Sequence, residues 1–378
     1  MIALTLVLGI LIVYPYLLYP LVLALLPKRG FSRLPWQAPS LPSVSILLSL
    51  YNEQDIISKK IENIFALDYP PDRLNVIVVS DGSTDNTESV VRPYDAKRIT
   101  LIVQSREGKT AALNKAAAAS NADILLFTDA NTFFQPDAVQ RLVTPFIDPR
   151  VGLVSGRVLP QGIETGEGLF GRFESFLKMH ESRLGLIAGA DGAMYALRRS
   201  LYQPLPAHII NDFYHPQAVT LAGFRSHFAP DALAFESSNE DIGREMARQQ
   251  RMVNQALAVT RSMLPQLLVH GHLAAAWVLV SHKLLRWLHI PFFMFLLLCS
   301  FWALLKGGGS VNFLLVSAYL VLFLCASLVV KLRSLPFFLD MLYRFQTIHI
   351  AYFRGVLDFL RGRNIIVWNP RGGNISSV

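Results

Sequence analysis

The sequence predicts an α/β protein: a mixed, mostly parallel sheet flanked by helices, with transmembrane helices at both ends of the chain. Between residues 43 and 129, short apolar runs alternate with segments of helical periodicity, which is typical of parallel strands joined by right-handed crossovers. Residues 2–26 are apolar and uncharged, long enough for a bilayer span of roughly 20 residues. A second long apolar region, residues 289–330, lies near the carboxyl terminus.

The composition is typical of a protein that is partly soluble and partly in a membrane. Of the 378 residues, 52% are hydrophobic and only 16% are charged, and the mean hydropathy is +0.37. The formal net charge is +8, and much of the excess flanks apolar runs, as at Lys28 and Lys331. This placement favours a membrane with an anionic face as partner, and no nucleic acid. Cys299 and Cys325 lie in apolar runs and indicate neither a disulfide nor a zinc site.

The first apolar run, residues 1–27, is predicted to be a transmembrane anchor. Positive charges follow the run, whereas a signal peptide would carry them in front of it. By the positive-inside rule, the residues from Arg29 onward then face the cytoplasm. We therefore expect an integral protein of a bacterial-type cell membrane with a cytoplasmic catalytic domain, residues 43–262.

The carboxyl-terminal third is predicted to contact the membrane as well. Residues 263–288 mix apolar residues with histidines and cations, which predicts helices in the membrane interface. Residues 289–330 form two apolar runs around a Gly-rich turn, which predicts a transmembrane hairpin. Residues 335–378 are predicted to be an amphipathic interfacial helix and a tail, because charges such as Asp340 and Asp358 are costly in hydrocarbon. A fourth span is the alternative.

The soluble domain has its clearest pattern in its first part. Apolar runs that end at polar residues predict strands over residues 44–48, 75–79, 99–103 and 124–127. The segments between them predict helices over residues 55–67, 85–91 and 109–120. Beyond residue 131 the alternation loosens to a helix over 136–146, a strand over 151–158 and a Gly-punctuated helix to residue 187.

Asp129 and Asn131 follow the fourth predicted strand. A carboxylate and an amide at this point lie at the carboxyl edge of the sheet, where ligands bind in open α/β sheets. Two oxygen ligands one residue apart suit a hard cation, Mg²⁺ or Mn²⁺, which would also hold a substrate's phosphates. Taken alone, the pair fits an Asx turn at least as well.

Other polar residues at strand ends are ambiguous one by one. Residues 81–85, Asp-Gly-Ser-Thr-Asp, also fit a turn and a helix cap. Lys109, after Gly108 at a helix start, fits either an ordinary surface lysine or a contact to phosphate. Arg248 and Arg251 would ordinarily be solvated surface charges.

The order and spacing of these motifs resemble the inverting, membrane-anchored glycosyltransferases of family 2, which have a GT-A fold and include cellulose and hyaluronan synthases. The resemblance covers nearly all of residues 43–287, and the combination is specific. The motifs that carry it are Tyr51-Asn52-Glu53, Leu67-Asp68-Tyr69-Pro70, Asp81-Gly82-Ser83-Thr84-Asp85, Gly108-Lys109, Asn114, Asp129-Ala130-Asn131, Gly189-Ala190-Asp191-Gly192-Ala193, Arg198-Arg199, Asp212-Phe213, Gly223-Phe224, Ala234-Phe235-Glu236, Arg248 with Arg251, and Ser281-His282-Lys283-Leu284-Leu285-Arg286-Trp287.

The resemblance implies how a nucleotide-diphosphate sugar donor binds. Tyr51 and Glu53 would frame the base and the ribose, and Asp81 would accept a hydrogen bond from the base. Lys109 would approach the diphosphate.

The resemblance also implies the groups that act in the reaction. Asp129, with Asn131, would hold the metal that bridges the two phosphates. Asp212 would be the general base that takes the proton of the acceptor hydroxyl. Arg251, with Arg248, would offset the negative charge of the diphosphate as the nucleoside diphosphate leaves.

Two departures from the family pattern bear on function. Asn131 stands where a second carboxylate is usual, so the metal is expected to bind weakly until the phosphates arrive. Residues 248–252, Arg-Gln-Gln-Arg-Met, stand where processive synthases have Gln-x-x-Arg-Trp, so the aromatic that stacks on an acceptor sugar is absent. We therefore expect transfer of a sugar from a UDP-linked donor to a lipid-linked or nascent glycan acceptor, in polysaccharide biosynthesis.

Two alternatives stay open: a processive exopolysaccharide synthase, and a catalytically weak, nucleotide-sugar-binding subunit that works with polysaccharide-assembly proteins. Retention of Asp212, Lys109 and Arg251 disfavours the second. A Rossmann dehydrogenase is not indicated, because no Gly-x-Gly-x-x-Gly follows the first strand.

Overall fold

The structure, a computed structural model, describes residues 2–27, 41–94, 98–161, 168–236, 242–307, 317–318, 321 and 337–363. The chain divides into two compact units. Of the described residues, the helical unit contains those within 2–25, 242–257 and 279–363. The sheet unit contains those within 26–236 and 258–278.

The sheet unit contains an eight-stranded sheet. Its strands are β1 (Val44–Leu50), β2 (Leu74–Asp81), β3 (Ile99–Gln104), β4 (Ile124–Thr128), β5 (Thr132–Phe134), β6 (Val151–Pro160), β7 (Met194–Arg198) and β8 (Arg225–Glu236). They lie side by side in the order β3-β2-β1-β4-β7-β6-β8-β5.

The first four strands form a parallel half of the sheet. β1 pairs with β2 and with β4, and β2 pairs with β3, all in parallel. Every residue of β4 is buried, as expected for strands covered on both faces. The predicted alternation of strands and helices is therefore confirmed here, and the carboxyl ends of β1, β2 and β4 meet at one edge.

The other half of the sheet is mixed. β7 is antiparallel to both β4 and β6, β8 is parallel to β6, and β5 is antiparallel to β8. Neither β7 nor β8 was predicted from the sequence. β8 contains Pro230, which argues against a strand, and the β6–β8 register shifts between Ser155 and Arg157.

Helices cover both faces of this sheet. The helices between the strands are α3 (Ile57–Phe65), α4 (Thr87–Val91), α5 (Lys109–Ala118), α6 (Ala138–Val143), α7 (Leu169–Arg183) and α8 (Asn211–Leu221). Ile46 of β1 packs in one core cluster with Ile61 of α3, while its neighbour Leu47 packs in a second cluster with Leu113 of α5. Successive strand residues point to opposite faces, so β1 separates the two cores.

The segment predicted as a transmembrane anchor forms two helices, α1 (Ile2–Val13) and α2 (Leu18–Leu25). The break contains Pro15, which has no backbone N–H to donate and would clash with the preceding helical turn. The two helices are therefore bent by 62° rather than continuous.

The described part of the carboxyl-terminal third is helical: α9 (Ile242–Val269), α10 (Leu273–Leu279), α11 (Leu285–Trp287), α12 (His289–Leu305) and α13 (Phe337–Leu360). Among described residues, no helix is by itself long and apolar enough to cross a membrane. Two bent pairs reach that length and composition together, one in residues 3–25 and one in 273–305. The expected transmembrane helices are therefore not confirmed, and most of the hairpin's second run, residues 311–330, lies outside the described residues.

Candidate active site

The turn Asp129-Ala130-Asn131 joins β4 to β5 at the carboxyl edge of the sheet. Lys109, the first residue of α5, places Nζ 2.5 Å from Asp129 Oδ1. The two side chains are 44% and 34% exposed, so this ion pair is open to a ligand. Asn131 Nδ2 donates to Glu236 Oε1 over 2.9 Å, which ties the turn to the end of β8.

The chemistry of this turn fits the divalent cation expected from the sequence. The Asp129 carboxylate already has an ammonium as its counter-ion, and Asn131 offers an amide oxygen one residue further on. Within the described parts of the chain, no three His, Cys, Asp or Glu side chains come together as a metal site. Asp129 and Asn131 would therefore supply part of the coordination, and oxygens from a bound molecule or from water would complete it.

Asp81, at the end of β2, is fully buried and holds the loop that leads into α5. Its Oδ1 accepts from Gln104 Nε2 at 2.7 Å and from the Glu107 amide at 2.8 Å. Its Oδ2 accepts from the Gly108 amide at 3.0 Å and from Arg106 Nη1 at 2.6 Å. These bonds orient the residues before Lys109, and the hydrogen bond from a nucleotide base to Asp81 stays a prediction.

Arg106 also contacts the end of β1. Its guanidinium carbon lies 3.4 Å from the centre of the Tyr51 ring, a cation–π contact. Gly82 makes this approach possible: its φ is +68°, and a Cβ there would come within 2.8 Å of the Arg106 amide nitrogen. The stacked Tyr51 and Arg106 side chains lie at the edge where the nucleotide base is predicted to bind.

The loop after β1 is hydrogen-bonded to the loop after β2. Asn52 adopts φ 55°, a left-handed backbone that Asn tolerates better than most residues. Its Oδ1 accepts from the Thr84 amide at 2.8 Å, and the Glu53 amide donates to Thr87 Oγ1 at 2.8 Å. Tyr51 and Glu53 therefore lie on a loop that the residue 81–87 segment holds in place.

The start of α5 is bonded to the segment that precedes α8. Thr110 Oγ1 donates to the Ile209 carbonyl at 2.9 Å. Asn114 donates to the Leu205 carbonyl at 2.8 Å and accepts from the Leu205 amide at 3.0 Å. The helix that carries Lys109 and the segment that leads to α8 are thus held together.

Asp212 lies in the first turn of α8, where the helix dipole favours a carboxylate. The Ala190 amide donates to its backbone carbonyl at 2.9 Å. A Cβ added at Gly192 would lie 2.4 Å from Asp212 Oδ2. Glycine at position 192 is therefore what gives this carboxylate its space.

Tyr195 of β7 lies near both carboxylates. It is opposite Phe127 in the β4–β7 register, and the two rings stack with centroids 4.5 Å apart. Burial raises the pKa of Tyr195 well above its ordinary value, and the charges of Asp212 and Asp129 raise it further. The predicted metal ligand and the predicted base are thus both near enough to Tyr195 for their charges to raise its pKa.

His215 supports α8 from the interior. It is 1% exposed, and its Nδ1 lies 3.0 Å from the Tyr195 hydroxyl. Burial lowers the pKa of His215 to about 3. The imidazole is therefore neutral at ordinary pH.

The two arginines predicted to offset diphosphate charge lie on α9, in the helical unit. Arg248 Nε forms an exposed ion pair with Glu245 Oε2 at 2.8 Å, and Arg251 is half-buried. Their contact with a donor stays a prediction. Arg198 Nε and Arg199 Nε donate to the backbone carbonyls of Val151 (2.7 Å) and Ser120 (2.6 Å).

Sequence reasoning assigned no role to three side chains at the site: Lys60, Arg106 and Glu236. Glu236 belongs to one of the motifs that carry the resemblance, and Arg106 lies two residues before the Gly108-Lys109 motif, so the sequence offered a usable signal for both. The signal for Lys60 was weaker: a lysine that lies on the apolar face of α3, between Ile57 and Ile64.

This architecture is a GT-A-like fold. The mannosyltransferase PcManGT from Pyrobaculum calidifontis, solved in complex with GDP-Man and Mn²⁺, matches it with a TM-score of 0.70 and 23% identity, over 95% of this chain and 98% of that one. Residues 45–205 match the model of Glycosyl transferase family 2. The chain therefore contains a glycosyl transferase family 2 domain, which confirms the resemblance seen in its motifs.

Curated relatives are similar over the same region. The "Probable glycosyltransferase YdaM" of Bacillus subtilis is 30% identical over 219 residues, 53% of this chain and 52% of the relative. The glycosyltransferase AglE of Haloferax volcanii is 29% identical, over 51% of this chain and 66% of AglE. A poly-beta-1,6-N-acetyl-D-glucosamine synthase of Staphylococcus aureus is 26% identical, over 54% of this chain and 52% of the synthase. The match thus spans half to two thirds of each relative.

Proposed function

We propose that this protein is an inverting glycosyltransferase that moves a sugar from a nucleotide-diphosphate donor to a lipid-linked or nascent glycan acceptor at the cytoplasmic face of a membrane. The observation that carries the proposal is the open Lys109–Asp129 ion pair. It lies at the ligand-binding edge of a family 2 domain, in the region that also contains Asp212.

Residues at the carboxyl edge of the sheet bind the donor. Tyr51 and Glu53 contact the base and the ribose, and Lys109 exchanges the Asp129 carboxylate for the donor's diphosphate. A divalent cation held by Asp129 and Asn131, Mg²⁺ or Mn²⁺, would stabilise the negative charge of the departing nucleoside diphosphate. Arg251 and Arg248 add positive charge for the same leaving group.

Asp212 is the general base of the proposed reaction. Its carboxylate takes the proton of the acceptor hydroxyl as that oxygen forms a bond to the anomeric carbon. On the opposite side, the bond between this carbon and the phosphate oxygen breaks, and its electron pair leaves with the nucleoside diphosphate. A single displacement inverts the carbon, so no covalent sugar–enzyme intermediate forms.

Replacement of the base tests this reaction directly. Asp212→Asn is expected to lower kcat by about 10²- to 10⁴-fold while leaving the affinity for Mn²⁺ and nucleotide unchanged. Asp231→Asn, an exposed position on β8, is the matched control. Near-wild-type transfer by Asp212→Asn would show that the base is another residue, and an NMR assignment of the product anomer tests inversion.

The donor is proposed to be UDP-linked. The mannosyltransferase with the same fold was solved with GDP-Man, so a thermal-shift panel of UDP- and GDP-sugars with Mn²⁺ is the discriminating screen. A stabilisation seen only with GDP-sugars would replace the UDP assignment.

Membrane attachment is part of the proposal. Apolar side chains of α1 and α12 are exposed, among them Leu6 (61%), Ile10 (54%), Leu298 (62%) and Trp302 (54%). Exposed apolar surface of this kind supports contact with lipid. Retention of the protein in carbonate-washed membranes is expected, and release into the wash would contradict an integral location.

A processive polysaccharide synthase is the second candidate, because one similar relative is named a poly-beta-1,6-N-acetyl-D-glucosamine synthase. The missing Trp of the Gln-x-x-Arg-Trp motif argues against it. Product length decides: a single addition supports the first candidate, and a long ladder supports the second. Nucleotide-sugar binding without transfer across acceptors would favour a non-catalytic subunit of an assembly.

A further inference from the structure

Lys60 of α3 is a lysine inside the protein core. None of its surface is exposed, and its helix neighbours Ile57, Ile61 and Ile64 are also buried. Taking an ammonium out of water is costly unless its donors are satisfied. The position is thus occupied at an energetic cost that an apolar residue would not incur.

The partners of Lys60 are the two residues that flank the Asp129–Asn131 turn. Nζ donates to Thr128 Oγ1 at 3.1 Å and to the backbone carbonyl of Thr132. Thr128 is the last residue of β4 and Thr132 the first of β5. One nitrogen therefore connects both ends of the turn from its buried side.

The Phe134 ring completes this environment, with its centre 3.9 Å from Nζ. Two hydrogen-bond acceptors and an aromatic face together satisfy an ammonium. A neutral amine can still donate to both acceptors, so the connection across the turn survives either protonation state.

We propose that Lys60 is a positioning residue for the metal and diphosphate site, holding the Asp129–Asn131 turn in its binding conformation by joining the two ends of the turn. The inference rests on the proposed function of that turn. Lys60 does not touch substrate; it acts through the backbone that carries Asp129 and Asn131.

The bonds from Lys60 add to the other restraints on the turn. The turn's own backbone bond, from the Thr132 amide to the Asp129 carbonyl, is long at 3.3 Å. The side chains of the turn have their own partners: Asp129 is ion-paired with Lys109, and the Asn131 amide donates to Glu236. With an amide in place of a second carboxylate, a bound cation also organises the turn less strongly.

Lys60→Met tests the proposal, because Met keeps an apolar side chain of similar length and removes both hydrogen bonds that Nζ donates. Lys59→Met, on the exposed side of the same helix, is the matched control. Hydrogen–deuterium exchange of the peptide spanning residues 128–134, and Mn²⁺ affinity with UDP or GDP by electron paramagnetic resonance, report on the turn without requiring catalysis.

We expect Lys60→Met to speed exchange in this peptide at least about tenfold and to weaken Mn²⁺–nucleotide binding by a similar factor, with Lys59→Met unchanged. Unchanged exchange and affinity in Lys60→Met would overturn the proposal. If Lys60→Met does not fold, Thr128→Val removes one acceptor and is expected to give a smaller change in the same direction; no change there would also overturn it.

The outcome is separable from the proposed function. If the wild type transfers no sugar but Lys60→Met still loosens the turn, the glycosyltransferase reaction fails and the positioning role stands. If the wild type transfers sugar and Lys60→Met matches it in exchange, Mn²⁺ affinity and KM for the donor, only the positioning role fails.

Discussion

Lys109 Nζ lies 2.5 Å from Asp129 Oδ1, so an ammonium is the counter-ion of the predicted metal ligand. The pair is half-exposed, and an ion pair of this kind contributes little to stability. The ion pair matters instead for the binding of a metal–diphosphate complex. A metal–diphosphate complex can exchange both partners at once, since the cation takes the Asp129 carboxylate and the diphosphate takes the lysine.

Lys109→Met is expected to change metal affinity and activity in opposite directions. Removing the competing ammonium should raise the affinity of the protein alone for Mn²⁺ by roughly two- to fivefold, the size of an exposed ion pair. Losing the phosphate contact should lower kcat/KM for the donor about 100-fold. Lys115→Met, equally exposed on α5, is the control, and weaker Mn²⁺ binding by Lys109→Met would contradict the exchange.

Asn131→Asp should strengthen the cation site. A second carboxylate is expected to raise Mn²⁺ affinity in the absence of nucleotide about tenfold. The same change removes the hydrogen bond to Glu236 and places a second carboxylate beside that of Glu236. The melting temperature should therefore fall without metal and recover when Mn²⁺ is added. Asn131→Ala is the matched control; a rise in Mn²⁺ affinity there as well would show that the carboxylate is not the cause.

Gly192→Ala should displace the proposed base. The added Cβ would lie 2.4 Å from Asp212 Oδ2, far inside contact distance, so the carboxylate must move. We expect kcat to fall at least about tenfold, because small misplacements of reacting groups are costly, with nucleotide affinity unchanged. Gly168→Ala, where a Cβ meets nothing within 4 Å, should have no effect on kcat. Equal activity of the two variants would show that the close approach of Gly192 to Asp212 does not matter for catalysis.

The burial of Lys60 predicts a pH dependence of stability. Burial lowers the pKa of Lys60 to about 7, although the charge of Asp129 acts to raise it. Between pH 7 and 10.5 the unfolded chain therefore binds more protons at this residue than the folded one, so stability should rise with pH across that window.

The rise is measured as the difference in free energy of unfolding between the wild type and Lys60→Met, and it should level off below pH 7. Its upper limit is on the order of 5 kcal/mol, at about 1.4 kcal/mol per unit of pKa. Lys59→Met should show no such difference. A flat wild-type minus Lys60→Met difference from pH 7 to 10 would mean that Lys60 stays charged in the folded protein.

The parallel half of the sheet was predictable because each of its strands is a continuous apolar run that ends at a polar residue. β7 and β8 were not: β7 follows a Gly-rich segment, and β8 contains Pro230. Both are strands because of the neighbours they pair with, and local periodicity does not report distant pairing.

By itself the sequence determined that β1 to β4 are strands of a parallel sheet with a shared carboxyl edge, and it contained the family motifs with Asp81, Lys109, Asp129 and Asp212. Only the tertiary structure decided that Asp81 holds the loop before α5, that Gly192 makes room for Asp212, and that Lys60 bonds to both ends of the Asp129–Asn131 turn. The bonds of Lys60 join positions 68 and 72 residues apart in the chain. A sequence pattern records which side chains can be buried, but packing between distant segments decides which polar atoms then meet.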